Sequence, residues 1–356
     1  MSQLLRVGVA GLRWGRAHLT AYQQLPAQYE VAAVCDVDQD NARAAATEFN
    51  VPRVFTDFTR LCALDDLDVI CICTPSHLHT PQAIEALEAG KHVIVEKPIA
   101  GSLQQVDELI GVEARAPGKV MPIFQYRFGH GIQKLKFLNE QGITGRAILT
   151  TVETAWRRRA EYYAVGWRGK WDTDLGGALV RLAIHAHDMV YYVLGAPRSV
   201  AAHMTTLVNP IETEDTVTAS LEMADGSLCS LSVTTGSTKE LTRHRFCFSD
   251  LTAESNLAPY ANASDPWQFM GDSPQINARI TESLSRFEPL PEGLVGQYLR
   301  FHQAITQNTG LPVTLADARA ALELVTAIYH AADTRQTVQF PLSCDHPKYA
   351  NWRPTR

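Results

Sequence analysis

The sequence predicts an α/β chain in two parts, a doubly wound parallel sheet over residues 1–122 and an α+β domain over 123–342, with a tail at 343–356. The second domain is expected to carry an open, mainly antiparallel sheet. Three observations carry this reading. From Leu4 to about Arg127, short β-rich runs alternate with segments of helical period, the pattern of crossovers between parallel strands. After Gly142 the texture turns to polar and apolar residues in alternation, as in antiparallel sheets with one solvated face. The chain has 356 residues, of which 46% are hydrophobic, enough to bury two ordinary cores.

In the first part the expected strands are Leu5 to Gly11, Glu30 to Asp36, Val69 to Thr74, His92 to Glu96 and Val120 to Gln125. They are dense in Val, Ile and Cys, as strands covered on both faces must be. Ala42 to Phe49, Pro81 to Ala89 and Leu103 to Glu113 show apolar spacing of three and four, and Gly90 stands where a helix C-cap glycine would. In the second part the strands are Ala147 to Trp156, Ser199 to Thr206, Thr216 to Met223, Leu228 to Thr235 and Arg243 to Phe248. Ala224-Asp225-Gly226-Ser227 joins two of them as a hairpin turn, since Asp-Gly readily supplies positive φ. Leu175 to Leu194, ending at Gly195, and the Ala-rich Leu315 to Thr334 read as amphipathic helices. The polar stretch Asp250 to Gly293 is expected to be an irregular excursion near the substrate.

Charge and cysteine usage narrow the function classes. The formal net charge is −6, which argues against nucleic acid or anionic lipid as partners, because dense basic charge holds both. No apolar run approaches the roughly 20 residues of a membrane span, and the N-terminus enters a strand pattern in place of an export signal, so the chain is read as cytoplasmic. Seven cysteines lack any C-x-x-C pair and read as reduced structural thiols.

Strand Leu5 to Gly11 runs into Gly11-Leu12-Arg13-Trp14-Gly15 and then a helix start. Such a turn aims backbone N–H groups at an anion. It is one residue shorter than Gly-x-Gly-x-x-Gly, with Arg13 where a middle glycine is expected. Asp36 ends the second strand about 25 residues on, near the spacing at which a carboxylate meets adenosine ribose hydroxyls. That carboxylate would repel a 2′-phosphate, so NAD is favoured over NADP.

Thr74-Pro75-Ser76-His77-Leu78-His79 follows the third strand and Glu96-Lys97-Pro98 the fourth, both at the carboxyl ends where open α/β sheets bind ligands. Together with Gly176-Gly177, Ile184-His185-Ala186-His187-Asp188 and Gln125-Tyr126-Arg127-Phe128, these segments resemble the glucose-fructose oxidoreductase, inositol dehydrogenase and MocA family over nearly the whole chain. The resemblance implies a Rossmann domain that binds NAD and a second domain whose open sheet pairs subunits into a homodimer or homotetramer. It implies cofactor contacts from Gly11, Arg13, Trp14, Gly15, Asp36, Thr74, Pro75, His77, His79, Glu96 and Lys97. It implies that Lys97 lies beside the nicotinamide and the substrate hydroxyl, and that His185 is the catalytic base. The Lys97–Pro98 peptide is a candidate for the cis isomer.

His185 and Asp188 are three apart, so Asp188 is expected to orient the imidazole from the same helix face while His187 points elsewhere. The two histidines lack ligand spacing, and no metal is expected. One departure is chemical. Where many dehydrogenases of this family carry an aspartate four residues before the histidine, this chain has Arg181. A guanidinium cannot accept a proton, and beside His185 it would hold the ring neutral. Two consequences stay open: Lys97 and His185 act on an acidic substrate, or the site has drifted from plain alcohol oxidation.

Arg127, Arg157, Arg158, Arg159, Arg168, Lys170 and Arg181 are interleaved with Trp156, Trp167 and Trp171. They read either as a solvated loop or as a pocket that packs a sugar and grips an anion. The substrate side is therefore assigned to Lys97, Tyr126, Arg127, Trp167, Arg168, Arg181, His185 and Asp188. The expected activity is oxidation of a secondary hydroxyl of a sugar, polyol or sugar acid. The alternatives are a redox-neutral NAD-dependent glycosidase or lyase and a binding protein that has kept the fold.

Overall fold

The computed structural model describes residues 3–354. Two compact units emerge, one running to Phe124 and including Leu294–Arg319, the other Gln125–Gly293 with the chain from Ala320 on.

The first unit is built on β1 (Leu5–Ala10), β2 (Tyr29–Cys35), β3 (Val54–Phe55), β4 (Val69–Ile72), β5 (His92–Val95) and β6 (Val120–Pro122). All pair in parallel, in the order β3-β2-β1-β4-β5-β6. The order reverses between β1 and β4, and the crevice at such a switch point is where doubly wound sheets take ligands. Val7, Val9, Ile70, Ile72, Ile94 and Val95 are fully buried, which explains the unbroken apolar runs in these strands. The helix Gly293–Gln307 belongs from Leu294 on to this unit, whereas the sequence boundary at 122/123 assigns it to the second domain. Its apolar face is the reason: Tyr298 stacks on Tyr22 at 4.5 Å and its carbonyl accepts the Tyr29 hydroxyl at 2.8 Å.

The second unit carries β7 (Ala147–Arg157), β8 (Pro197–Thr205), β9 (Thr216–Met223), β10 (Leu228–Thr234), β11 (Gly236–Phe248), β12 (Leu251–Glu254), β13 (Gln268–Gly271) and β14 (Val338–Gln339). Their order is β13-β12-β11-β7-β10-β9-β8-β14, antiparallel except for the β7/β10 pair. One face packs on helices His130–Glu140 and Ile184–Leu194 through Leu135, Leu138, Met189, Val193 and Phe246. The turn joining β9 to β10 has Gly226 at φ +85°, and Asp225 accepts the Ser227 N–H and hydroxyl.

Two expected elements differ. The helix expected over Leu175 to Leu194 is broken: Trp171–Asp174 and Ala178–Arg181 are short turns of helix, and only Ile184–Leu194 is long. Leu175 at φ 65° and Gly176 at φ 154° leave the right-handed region, and a non-glycine there is unfavourable unless its surroundings demand it. Trp352 Nε1 donates to the Leu175 carbonyl at 2.7 Å, a long-range bond no local pattern announces. The stretch Asp250 to Gly293 is ordered as well, with β12, β13 and the helix Pro274–Leu284, which Ser273 caps through the Ile276 N–H.

Candidate functional site

In the first unit the sequence-predicted residues gather at the carboxyl ends of β1, β2, β4 and β5. Gly11 has φ +86°, and a Cβ there would come within 2.5 Å of the Cys73 carbonyl carbon and the Thr74 nitrogen. Only glycine fits where the turn leaves β1 against the start of the next loop. Gly15 sits close over Val9, Leu12 and Cys73, the glycine that lets the helix Leu12–Gln23 lie against the sheet. Neither a capping side chain at Gly11 nor an acidic residue in the first turn competes at that helix's positive end. Arg13 and Trp14 are exposed there.

The Asp36 carboxylate accepts from Leu12 N and Asn41 Nδ2 on one oxygen, each at 2.8 Å, and from Asp38 N at 3.0 Å on the other. Three of about four lone-pair sites are thus used, and one is left for a hydroxyl donor. The turn and the acid therefore fit the two ends of an adenosine diphosphate moiety.

The His77 and His79 side chains part company. His77 is exposed at the turn, whereas His79 is buried, with Nδ1 2.7 Å from the Pro98 carbonyl and Nε2 2.7 Å from the Thr74 carbonyl. Carbonyls only accept, so this arrangement asks for a proton on both nitrogens. His79 thus ties the Thr74 loop to the Lys97–Pro98 loop. The Lys97–Pro98 peptide is cis. Thr74 is anchored through its hydroxyl to Gln82 at 2.6 Å.

Glu96 is buried. Its Oε1 accepts from Trp14 Nε1 at 3.0 Å and faces His18 Nε2 at 3.1 Å, while Oε2 accepts from the Lys97 N–H at 3.0 Å. Burial alone would lower the His18 pKa, but Cys71 and Glu96 outweigh it and push it up to about 10. His18 and Tyr298 escaped the sequence reading. The available signal was a histidine on the apolar face of the first helix, one turn past Gly15.

In the second unit Tyr126 and His185 come together, their rings stacked at 4.9 Å. Asp188 is held by Arg127 in a buried fork, Nε to Oδ2 at 2.7 Å and Nη2 to Oδ1 at 2.6 Å. The structure therefore corrects one expectation: Arg127 does not reach out with a free fork, because Asp188 occupies it. Arg181 is not one turn back on the helix of His185, since Leu182 and Ala183 intervene between the two helices. Its guanidinium pairs with Asp174 at 2.8 Å and lies 5.1 Å from the Trp167 ring centre. Arg168 lies over Tyr162 and Trp167, at 4.1 and 5.3 Å. Arg158 lies over Trp156 and Tyr162 and pairs with Glu240 at 2.8 Å. The basic stretch is thus an arginine–aromatic cluster, with a narrow recess between Tyr162, Asp174, Gly177, Arg181 and Thr213.

One buried group was missed. Glu214 accepts from the Gly177 and Leu179 N–H groups at 3.0 and 2.9 Å, and burial pushes its pKa up to about 7. A Cβ on Gly177 would strike the Glu214 carbonyl at 1.8 Å, which accounts for the Gly176-Gly177 pair. His187 is buried, neither ring nitrogen has a hydrogen-bond partner among the described residues, and burial followed by His244 pushes its pKa down to about 3.

Comparison with known proteins places the chain. Residues 5–124 match the model described as "Oxidoreductase family, NAD-binding Rossmann fold", and residues 132–252 match the GFO/IDH/MocA C-terminal domain. D-glucoside 3-dehydrogenase of Escherichia coli K12 is 35% identical over 179 residues, 49% of this chain and 50% of that protein. An uncharacterised oxidoreductase of Synechocystis is 29% identical over 244 residues, 65% of each. The chain thus spans about half to two thirds of the length of these curated relatives. The WlbA dehydrogenase from Bordetella pertussis, solved with NADH and UDP-GlcNAcA, is 28% identical; the match covers 96% of this chain and 100% of that one at a TM-score of 0.84. With both domain models matched in order and the parallel-sheet switch point lined as described, the chain belongs to the GFO/IDH/MocA oxidoreductase family, and its first domain is an NAD-binding Rossmann fold.

Proposed function

We propose that the protein is an NAD-dependent dehydrogenase that oxidises a secondary hydroxyl of a sugar, polyol or sugar acid. The observation that carries this reading is the set of strand ends in the first domain: the Gly11 turn, the Asp36 carboxylate with one acceptor site left, and Lys97 following β5 on a loop anchored by Glu96 and His79. Relatives named for a glucoside and a nucleotide-linked sugar acid support the substrate class.

Bound NAD supplies a hydride acceptor. Lys97 holds the reacting hydroxyl through its ammonium group, and His185 receives the hydroxyl proton, a task suited to an imidazole near neutral pH. Tyr126 stacks on the His185 ring and limits its orientation. Arg168 and Arg181, laid on Tyr162 and Trp167, suit a sugar face beside a carboxylate, since aromatic rings pack against sugar carbons and guanidinium forks match carboxylates. Asp36 favours NAD over NADP. Arg43 and Arg60 line a cavity of about 270 Å³ beside Phe55, so cofactor choice is best read directly. Ile148 and Leu149 on β7 and Leu228 on β10, exposed at one end of two central strands, support assembly into a dimer or tetramer through this sheet, and a monomeric mass by light scattering would contradict that. Among the described residues no helix is long and apolar enough to cross a membrane.

The test is a panel of sugars, polyols and sugar acids with NAD and NADP, reading reduced cofactor and product together. Reduced cofactor accumulating with one substrate supports a dehydrogenase. Product without net reduction points to a redox-neutral enzyme instead, and no binding of either dinucleotide rejects both.

A further inference from the structure

Beneath the glycine turn, three side chains from two elements converge. Cys71 and Cys73 leave the same face at the end of β4, with sulfurs 3.8 Å apart. His18, on the helix Leu12–Gln23, puts Nδ1 3.4 Å from Cys71 Sγ. All three residues are buried, and their donor atoms lie within 4.8 Å of one another.

We propose that this cluster is a binding site for a thiophilic divalent cation, Zn²⁺ in the cell, held by His18 Nδ1, Cys71 Sγ and Cys73 Sγ.

The spacing is that of a coordination shell. With Zn–S near 2.3 Å and Zn–N near 2.0–2.1 Å, a tetrahedral angle puts sulfur about 3.8 Å from sulfur and nitrogen about 3.5 Å from sulfur. The observed 3.8 and 3.4 Å match two of the three edges, and the third, from His18 Nδ1 to Cys73 Sγ, lies within 4.8 Å. The tautomer agrees as well. Glu96 is an acceptor toward Trp14 and the Lys97 N–H, so His18 Nε2, 3.1 Å from Glu96 Oε1, is the nitrogen that donates. Nδ1, beside Cys71 Sγ, then gives up its own proton on loading and offers its lone pair to the ion. A carboxylate behind a histidine is the usual outer partner of a metal-bound imidazole, fixing its tautomer and raising its basicity.

The fourth direction belongs to the Tyr298 hydroxyl, which hydrogen-bonds His18 Nδ1 and lies 4.0 Å from Cys71 Sγ. In the loaded site it yields Nδ1 to the ion and takes the remaining vertex. Charge suits the arrangement, because two thiolates balance one divalent ion, and the Glu96 carboxylate behind His18 is met by Trp14 Nε1 and the Lys97 N–H. Each thiol gives up its proton on loading, so binding strengthens as pH rises. The ion would be structural. It would brace the point where Gly11 meets the Cys73 backbone and, through Glu96, the start of the Lys97 loop. A C-x-C pair with a histidine more than fifty residues upstream carries no recognised sequence spacing, which is why only the fold reveals it.

The test is elemental analysis of the full-length protein expressed with zinc, paired with the same protein refolded in Co²⁺. The expected result is one zinc per chain and, with cobalt, a thiolate charge-transfer band plus intense visible bands of tetrahedral geometry. The Cys71→Ser/Cys73→Ser variant loses both, while Cys229→Ser, altered in the second domain, keeps both. X-ray absorption on the wild-type zinc protein requires no variant to fold, and should show two sulfur ligands near 2.3 Å with nitrogen or oxygen completing the shell. Zinc-free protein from supplemented culture with no cobalt band overturns the proposal, as does bound zinc with only nitrogen and oxygen ligands.

Discussion

Arg127 and Asp188 form a two-pronged ion pair, Nε to Oδ2 at 2.7 Å and Nη2 to Oδ1 at 2.6 Å, with both side chains buried. The pair joins the turn that holds Tyr126 to the helix that holds His185, so the two stacked rings stand on a common brace.

Removing one partner leaves the other charge buried and uncompensated. Asp188→Ala should therefore cost about 3–5 kcal/mol of stability, the usual range for breaking such a pair. Arg127→Lys should also destabilise, since an ammonium cannot reproduce the planar fork. Denaturant unfolding checks both, and a change below about 0.5 kcal/mol, the level of a neutral surface substitution, would show that the pair contributes nothing.

His79 makes a different kind of brace. Replacing it by Phe keeps a ring but removes both donors to the Thr74 and Pro98 carbonyls. The expected outcome is at least a tenfold loss of NADH affinity, about 1.4 kcal/mol, because two cofactor loops lose their common tie. Fluorescence titration of NADH measures it. Unchanged affinity in a folded His79→Phe protein would remove the clamp from the account.

The buried histidines set an acid limit on stability. Burial pushes His187 down to about 3 and His244 to about 4 from the ordinary 6.5. Between those values and 6.5 the unfolded chain binds more protons than the folded one. Stability is then fully present above about pH 6.5 and is lost as pH falls through that window, each group contributing about 1.4 kcal/mol for every tenfold by which folding weakens its proton affinity. His187 has no hydrogen-bond partner among the described residues, so His187→Phe should flatten the acid limb with little cost at pH 8. Unfolding curves from pH 8 to pH 4 test this, and an acid limb of unchanged slope in the variant would contradict it.

Gly11 and Arg13 separate the turn's fold from its departure in sequence. A Cβ on Gly11 meets the Cys73 and Thr74 backbone, which cannot yield as a side chain can, so Gly11→Val should damage folding together with cofactor binding. Arg13 is exposed, and Arg13→Gly should shift stability by no more than about 1 kcal/mol, the helix cost of a glycine. Thermal melts of the two variants should differ widely, and equal melting temperatures would refute the steric argument.

How much of this was legible depends on how local each cause is. β1, β4 and β5 announce themselves because strands covered on both faces must be apolar throughout. Asp36 stands at the end of β2 and Lys97 just past β5, positions the strand pattern locates, while the role of Lys97 comes from the family resemblance. The break at Leu175 was hidden because its left-handed backbone is stabilised by Trp352, far along the chain. The helix Pro274–Leu284 was hidden by its polar surroundings, although Ser273 and Pro274 offered a cap and a first-turn proline. His79 was located correctly, but its two carbonyl partners depend on the path of the Pro98 loop. His18, Glu214 and the Arg127–Asp188 pair are tertiary facts, set by which elements the fold brings into contact.

The central claim is that Lys97 acts on substrate from the carboxyl end of β5 and is not needed to hold the cofactor. The most direct measurement is Lys97→Ala with the substrate identified by the panel, reading NADH formation and NADH binding in one preparation. The account predicts turnover reduced by about 10²–10³, the scale of losing one positioned hydrogen-bond donor at the reacting oxygen, with cofactor affinity within about threefold of wild type. Turnover within about tenfold of wild type, at the same cofactor affinity, would contradict it.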